Sequence, residues 1–269
     1  MYDKAILVVS FGTSYKETRE KTIDKIEEDI QKNYKDYKVY RAFTSKVIIK
    51  ILKSRDNLYI DTVEEALERI IKDGIKEIII QPTHIINGIE NNSMIKDIEK
   101  YKEDFESIRI GSPLLTNIDD YRELVNILKN HFCNIGGDEA IVFMGHGSSH
   151  DANAVYPALD YMFKDYGFKN IFVATIDGYP EIDSVLNFLK ESKIKKVHLT
   201  PLLVVAGSHA LKDMVSDRED SWKTIFEKEG YEVNCIIKGL GEYKEVRNMF
   251  IKHVHDAIDI SMHKKEDGI

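Results

Sequence analysis

A histidine between two glycines is the residue of this sequence that is best placed for chemistry. His146 lies in the stretch FMGHGSSHD, directly after an apolar run that is typical of a buried strand. Glycine permits backbone conformations and close ligand approach that other residues resist, so the two neighbours leave the imidazole ring uncrowded. The pattern predicts that His146 is held at a strand end to do chemistry rather than packed in the core.

Three other side chains are predicted to share a site with His146. His209 follows the run VVAG, Asp177 ends the run IFVATID, and Glu90 follows the stretch THIINGI. In an open parallel sheet the loops at the carboxyl ends of the strands line one crevice, where these side chains are expected to meet. Two imidazoles and one or two carboxylates suit a divalent first-row metal such as Co, Ni, Fe or Zn. An incomplete ligand set leaves open positions on the metal, as catalytic sites do.

Strand-like apolar runs alternate with helical patterns along the chain. The runs AILVVSFG, EAIVFMGHG, IFVATIDGYP and KKVHLTPLLVVAG close on Gly or Pro. The stretch TSYKETREKTIDKIEEDI has helical spacing, and Ser14 and Glu17 fit a capping box at its start. Continuous apolar runs separated by helices predict an α/β fold with parallel sheets that are flanked by helices on both faces.

The two halves of the chain repeat one another. KAILVVSFGTS aligns with EAIVFMGHGSS at an offset of 135 residues, and IKEIIIQPTHIINGIE aligns with IKKVHLTPLLVVAGSH at an offset of 119. The difference of 16 residues predicts an extra piece in the first half, between Arg41 and Ile60.

This duplication predicts two pseudo-symmetric α/β lobes with an active cleft between them. We expect the first lobe to span residues 1–127 and the second to span residues 128–269, with the terminal helix packing back on the first lobe. Glu90 and His209 occupy equivalent positions in the aligned halves, which favours one site shared by the two lobes.

Basic and hydroxyl-bearing residues in the first half suit an anionic substrate. The stretch RAFTSKVIIKILKSR contains five basic residues and no acid, and in an acidic protein it could attract a polyanionic small molecule to the cleft. The FGTS stretch offers backbone N–H groups and hydroxyls to a carboxylate at the start of a helix. The predicted substrate contacts are Phe11, Thr13, Ser14 and Arg55, and Phe11 is the repeat counterpart of His146.

The other histidines carry weaker signals. His84 lies in the stretch QPTHIING, but its repeat counterpart is a leucine. His198 falls inside a predicted strand, which indicates packing. His253 and His255 are two residues apart and do not share a helix face, so no metal role is expected for them.

The composition argues against several classes of protein. Hydrophobic residues make up 43% and charged residues 31% of the chain, which is ordinary for a globular protein. A formal net charge of −8 argues against general nucleic-acid binding, and two isolated cysteines favour neither a disulfide framework nor a zinc–thiolate site. No run approaches the ~20 apolar residues of a membrane span, and no signal peptide is recognisable, so we expect a cytoplasmic protein without membrane contact. The polar tail, residues 261–269, is expected to fray.

Several motifs, in order, resemble the anaerobic, ATP-independent cobaltochelatases of corrin synthesis. These motifs are ILVVSFGTSYKETR, RAFTS, HIINGIE, VFMGHGSSH, GYPEID, PLLVVAGSHALKDM, DSWK and GLGE. They run from about Lys4 to about Ala257, which is nearly the whole chain. The chain is similar to the small, single-subunit sirohydrochlorin cobaltochelatases.

The resemblance implies a chelatase-like fold and a lyase that inserts Co(II) into sirohydrochlorin or precorrin-2 in cobalamin biosynthesis, with release of two protons. It implies that Co(II) is a substrate and that neither ATP nor an organic cofactor takes part. By the family's motifs, His146 is the catalytic and metal-binding histidine, His209 is the second metal-binding histidine and Glu90 is a catalytic carboxylate. Such enzymes usually have a Glu before the Tyr-Pro pair where this chain has Asp177, so either Asp177 or Glu90 is the third metal ligand.

The resulting hypothesis is that His146 and His209 present Co(II) to one face of the macrocycle. His146 then accepts a pyrrole proton, because an imidazole with a reference pKa of about 6.5 can accept one near neutrality. Glu90 orients a histidine or passes protons outward.

Three alternatives stay open. A chelatase of the same fold could use Fe(II) or Ni(II), for sirohaem or nickel tetrapyrrole synthesis, because ligand type does not separate these metals. The chain could also be a tetrapyrrole or metal carrier without catalysis, or a two-lobed binding protein for small acids. The oligomeric state is open as well, including a homo-oligomer.

Overall fold

A computed structural model describes residues 2–261, and it contains strands alternating with helices. The strands are β1 (Lys4–Ser10), β2 (Tyr37–Phe43), β3 (Glu77–Pro82), β4 (Ser107–Ile110), β5 (Glu139–Gly145), β6 (Ile171–Thr175), β7 (Lys196–Pro201), β8 (Glu232–Cys235) and β9 (Ile258–Asp259). The helices are α1 (Lys16–Lys21), α2 (Ile23–Asn33), α3 (Lys46–Asp56), α4 (Val63–Lys72), α5 (Ile89–Glu99), α6 (Ile118–His131), α7 (Val155–Asp165), α8 (Ile182–Lys190), α9 (Trp222–Lys228) and α10 (Lys244–His255). One π-helical turn spans Ala210–Met214. The tail that is expected to fray lies, apart from Ser261, outside the described residues.

The strands form two sheets whose first four strands have the same order. The first sheet has the order β2-β1-β3-β4-β9 and the second has the order β6-β5-β7-β8. All pairs are parallel except β4 with β9. The central strands β1 and β5 are buried along almost their whole length, because helices cover both faces of each sheet. The parallel α/β fold predicted from the apolar runs is therefore confirmed.

The repeated sequence corresponds to a repeated topology. In the first half, β2 is followed by α3 and α4 before β3, whereas in the second half β6 is followed only by α8 before β7. Helix α3 is therefore the extra piece that the two alignment offsets predict between Arg41 and Ile60. Helix α6 runs across the proposed lobe boundary at residues 127–128, so the position of that boundary stays a prediction.

The first helical stretch differs from the sequence prediction. It breaks at Thr22 into α1 and α2, and the hydroxyl of Thr22 donates to the carbonyl of Thr18 at 2.6 Å. The predicted capping box of Ser14 and Glu17 is wrong, because Tyr15 is the N-cap residue of α1 and its side chain makes no cap hydrogen bond. Among residues 2–261, no helix is both long and apolar enough to cross a membrane.

A buried pair fastens the last helix to the first half of the chain. Helix α10 packs against α2, α6 and β3, and Nε2 of His253 lies 2.9 Å from Oδ1 of Asp120 in α6. Nδ1 of His253 lies 3.1 Å from the carbonyl of Ser112, and Oδ2 of Asp120 accepts from the N–H groups of Thr116 and Asn117. Burial by itself raises the pKa of Asp120, but the bonds from His253 and the two N–H groups outweigh it, so that pKa lies below its ordinary value.

We predict that Asp120→Asn lowers the free energy of unfolding at pH 7 by about 1.5–3 kcal/mol, the contribution typical of a hydrogen bond to a charged group. The lowered pKa stabilises the fold above the unfolded pKa of about 3.9, and this contribution is lost as the pH falls through the still lower folded pKa. The difference between the wild type and Asp120→Asn should therefore shrink below about pH 4. Urea unfolding of both proteins between pH 7 and about pH 2.5 measures this difference in the free energy of unfolding.

The matched control is Asp119→Asn, which removes the neighbouring carboxylate, three-quarters exposed and paired with Arg122. It should change the free energy of unfolding by less than about 1 kcal/mol. Equal costs for the two variants, or a difference that does not depend on pH, would contradict a stabilising role for the buried pair.

Candidate metal and active site

The loop that carries His146 is fixed by close backbone packing against the loop that carries Asp177. The N–H groups of Ile176 and Asp177 donate to the carbonyl of His146 at 3.2 and 2.8 Å. Gly147 has a φ of +85°, and a Cβ there would lie 2.6 Å from the backbone nitrogen of Gly178. A side chain at position 147 is therefore excluded both by backbone conformation and by space.

Two side chains of the second half support the same pair of loops. The ring of Tyr156 packs so closely on Gly145 that a Cβ on that glycine would lie 2.5 Å from it. Asn153 bridges the loops, because its Oδ1 accepts from the N–H of Ser148 at 3.0 Å and its Nδ2 donates to the carbonyl of Tyr179 at 2.7 Å. Each glycine beside His146 thus has a packing reason that the sequence alone does not show.

The side chains of His146 and Asp177 face each other beyond the ends of β5 and β6. Nε2 of His146 lies 3.9 Å from Oδ2 of Asp177, and both side chains are accessible, at 46% and 64% exposure. Nδ1 of His146 lies 3.1 Å from the carbonyl of Gly147. Because a carbonyl only accepts, Nδ1 is assigned as the protonated nitrogen of the neutral ring, and the lone pair of Nε2 faces the carboxylate. Two electron-pair donors that face one another suit a cation between them.

His209 lies beside His146, on the loop that follows β7. The two rings meet edge to face, with centroids 4.7 Å apart and planes at 88°. Nδ1 of His209 lies 2.8 Å from Oδ2 of Asp213, four residues further along. His146, Asp177 and His209, which the sequence predicts as one set, thus come from three loops at the same edge of the second sheet. Sequence reasoning missed Asp213, although its spacing of four residues from His209 in a helical stretch was a usable signal.

Glu90 lies on the first half, in the first turn of α5, with its side chain exposed. Helix α5 approaches the His146 loop, because Nδ2 of Asn92 lies 3.2 Å from Nε2 of His150. This contact links the two halves near the predicted site. The start of α5, which carries Glu90, therefore lies beside the loop that carries His146, although α5 belongs to the first half of the chain.

The FGTS stretch lies where the two halves meet. Thr13 is buried, and a Cβ on Gly207, two residues before His209, would lie 3.2 Å from its Oγ1. Phe11 keeps 45% of its surface exposed, which is unusual for a phenylalanine between two buried segments. The loop with the predicted substrate contacts therefore borders the loop with the second histidine.

Two arginines of the basic stretch have partners within the protein. Arg41 binds Asp24 and Glu27 in α2. Arg55 makes two hydrogen bonds to Asp56, at 2.8 and 2.7 Å, and also donates to the carbonyl of Ser14. The side chain of Arg55 is about half exposed, and its bond to the carbonyl of Ser14 ties the FGTS stretch to α3.

Three histidines that carry weaker signals in the sequence are buried or hydrogen-bonded within the protein. Burial lowers the pKa of His84 to about 4, so its ring is a poor proton acceptor at neutral pH. His198 bridges Glu139 and Asn234 at 3.1 and 2.9 Å. His253 belongs to the buried pair described above.

Across residues 2–261, no group of three or more His, Cys, Asp and Glu side chains is close enough together to hold a metal ion. The arrangement instead provides two accessible imidazoles with a carboxylate nearby. A divalent metal held by such a set would keep positions open, as catalytic metal sites do.

Comparison with known proteins gives one consistent result. The family described as Cobalt chelatase (CbiK) matches residues 4–259. The sirohydrochlorin cobaltochelatase of Salmonella typhimurium is 40% identical over 259 residues, which cover 96% of this chain and 98% of the relative. Sirohydrochlorin cobaltochelatase CbiKC of Nitratidesulfovibrio vulgaris is 30% identical over 261 residues, with 96% and 92% covered. The structure of SirB from Bacillus subtilis with Fe3+ has a TM-score of 0.64 at 15% identity, with 95% of both chains covered, which shows the same fold.

We predict that Gly147→Ala destabilises the protein more than Gly167→Ala, which is the matched control. Both glycines have a left-handed φ, +85° and +88°, but a Cβ at Gly167 meets nothing within 4 Å. The control should cost about 1–2 kcal/mol for backbone strain, and Gly147→Ala should cost about 1–3 kcal/mol more for crowding. Urea unfolding measures the two costs, and calorimetric titration with Co(II) should show weaker binding only for Gly147→Ala. Equal costs and equal Co(II) affinities would show that the packing of the two loops does not hold the site.

Proposed function

The chain belongs to the cobalt chelatase (CbiK) family, and on this premise we propose that it inserts Co(II) into sirohydrochlorin, or into its precorrin-2 form, in cobalamin biosynthesis. The chain is 40% and 30% identical in sequence to two sirohydrochlorin cobaltochelatases, over nearly the whole length of each, and this similarity supports the activity. The observation that carries the site assignment is the contact of His146 with His209 at a ring separation of 4.7 Å. Co(II) is a substrate in this reaction, so the protein must hold it loosely enough to release it.

The two histidines are proposed to present Co(II) to one face of the macrocycle. Nε2 of His146 is free to bind a metal because Nδ1 is engaged by the carbonyl of Gly147. Both rings are accessible, with exposures of 46% and 40%, so neither the metal nor a planar ligand is blocked from them. Two protein ligands with open remaining positions leave room for the pyrrole nitrogens to replace solvent on the metal.

Insertion releases two protons from pyrrole N–H groups, and these protons need acceptors. His146 is proposed to take one of them on Nε2 after Co(II) has passed from that nitrogen to the macrocycle, since imidazole accepts protons near neutrality. The second proton is proposed to pass to solvent. Glu90 is proposed to orient a histidine or to pass protons outward, from its exposed position in the first turn of α5. The third metal ligand is proposed to be Asp177, whose Oδ2 already lies 3.9 Å from Nε2 of His146.

The many carboxylates of the substrate are proposed to meet the first half of the chain. Phe11 offers an exposed apolar surface and Ser14 a partly exposed hydroxyl, and Arg55 holds their loop in place. Thr13 is buried, and it shapes the loop by accepting from the N–H of Tyr15 at 3.2 Å. Three lysines on α3 are exposed and can attract carboxylates, namely Lys46, Lys50 and Lys53. Each exposed ion pair contributes only about 0–1 kcal/mol, so the effect comes from several together.

We also propose that the reaction uses neither ATP nor an organic cofactor, that the protein acts in the cytoplasm, and that it needs no nucleic acid or membrane partner. A homo-oligomer is compatible with this proposal. Fe(II) and Ni(II) are the rival metals, and a carrier without turnover is the rival function.

We predict that His146→Ala slows Co(II) insertion by at least about 10²-fold, because general acid–base groups contribute about 10²–10⁴-fold. The rate is followed by absorbance under anaerobic conditions, with Co(II), Fe(II) or Ni(II) and with protein-free controls. His255→Ala, which removes an exposed histidine paired with Asp256, is the control and should keep the wild-type rate.

Each outcome of this assay has a distinct meaning. Fastest turnover with Co(II) supports the proposal, and faster turnover with Fe(II) or Ni(II) would keep the mechanism and change the metal. A spectral change that saturates at one equivalent without turnover would identify a carrier. Full activity of His146→Ala would overturn the role of that residue.

We predict that Asp177→Ala and Glu90→Ala affect different steps. Asp177→Ala should weaken Co(II) binding by about tenfold or more, which corresponds to about 1.4 kcal/mol, because it removes the carboxylate beside His146. Glu90→Ala should leave Co(II) binding nearly unchanged and slow insertion. Calorimetric titration and the absorbance assay separate the two effects, and the reverse pattern would assign the third ligand to Glu90.

A further inference from the structure

Asp213 lies behind His209, away from any role that the family resemblance assigns. Its Oδ2 lies 2.8 Å from Nδ1 of His209. His209 precedes the π-helical turn Ala210–Met214, and the spacing of four residues puts both side chains on one face of it. Ala210 and Met214 are fully buried, so the turn that carries Asp213 is anchored in the core.

We propose that Asp213 is a positioning residue for His209. A carboxylate only accepts hydrogen bonds, so it fixes the neutral ring with the proton on Nδ1 and the lone pair on Nε2. The lone pair is then available on the atom that lies farther from Asp213, where a metal can bind it. The effect on catalysis rests on the proposed function, whereas the effect on the tautomer of His209 does not.

The surroundings of Asp213 favour this role over that of an ordinary surface carboxylate. Nη1 of Arg218 lies 3.8 Å from Oδ1 of Asp213, so the oxygen that does not bind His209 faces a cation. Nη2 of Arg218 lies 2.6 Å from Oδ2 of Asp220. The carboxylate is thus held between an imidazole and a guanidinium, and only 31% of the side chain is exposed.

His146 shows the same arrangement with a different acceptor. Its Nδ1 faces the carbonyl of Gly147 at 3.1 Å, so in both histidines Nδ1 is engaged by an oxygen acceptor, while within residues 2–261 no hydrogen bond involves Nε2 of either ring. Histidines that bind metals usually donate their other ring N–H to a carboxylate or carbonyl, and loss of such a partner costs about 10–100-fold in metal affinity or activity. The backbone supplies this acceptor to His146, whereas His209 depends on one side chain that can be mutated.

The experiment compares the wild type with Asp213→Ala by ¹⁵N NMR of the histidine rings, with the His209 signals assigned from His209→Ala. At about pH 8, well above the reference histidine pKa of about 6.5, the wild type should show His209 protonated on Nδ1. Asp213→Ala should shift His209 toward the Nε2-protonated form that predominates in free imidazole side chains. Asp213→Asn, whose amide oxygen can still accept, should retain most of the wild-type tautomer.

Kinetics of Co(II) insertion provide the second readout. Asp213→Ala should lower kcat by about 10–100-fold and leave KM for sirohydrochlorin within about twofold, because Asp213 does not contact the macrocycle. Asp213→Asn should lose less activity than Asp213→Ala. The matched control is Asp217→Asn, which removes an exposed carboxylate of the same segment that pairs with Lys223 and should change neither readout.

The two readouts separate failure of this proposal from failure of the proposed function. If wild-type protein inserts no metal, the chelatase proposal fails, and the NMR comparison still tests the link between Asp213 and His209. If wild-type protein is active but Asp213→Ala keeps both the wild-type tautomer and the wild-type kcat, Asp213 is not a positioning residue. A large rise in KM for sirohydrochlorin at constant kcat would also overturn it, since that result indicates a contact with the macrocycle.

Discussion

The contact between the His146 loop and the Asp177 loop is the constraint on which the candidate site depends. Two backbone N–H groups donate to the carbonyl of His146, and Gly147 lets the second loop approach to a distance that no side chain permits. These bonds fix both loops relative to the ends of β5 and β6. The imidazole and the carboxylate are therefore brought together by the backbone of the two loops.

The duplication explains why one half carries the histidines and the other borders them. Both sheets have the same order of their first four strands, so equivalent loops open at equivalent edges. The position of His146 is occupied by Phe11 in the first half, and that of His209 by Glu90. One half thus carries the two candidate histidines, while the other carries an exposed aromatic ring, a carboxylate and the additional helix α3 with its lysines. This division suits a reaction in which a metal and a large anionic ring must meet in one cleft.

The central strands and the additional helix α3 could be predicted from the sequence, because their signals are local or repeated along the chain. Apolar runs identify the central strands, and the two alignment offsets locate α3 from the sequence alone. The sequence could not show that Arg41 binds Asp24 and Glu27, since this contact depends on how helix α2 packs on strand β2. It also gave no sign of the break at Thr22, where a backbone change interrupts an otherwise regular helical pattern. Asp213 was harder to predict for a different reason, because it lies four residues after a candidate histidine and not at a strand end.

The central claim is that His146 and His209 bind the same Co(II) ion. X-ray absorption at the cobalt edge, on protein loaded with one equivalent of Co(II) without oxygen, tests it most directly by counting imidazole ligands. The account predicts two imidazoles in the wild type and one in His209→Ala. No imidazole in the wild type, or the same number in both proteins, would contradict it.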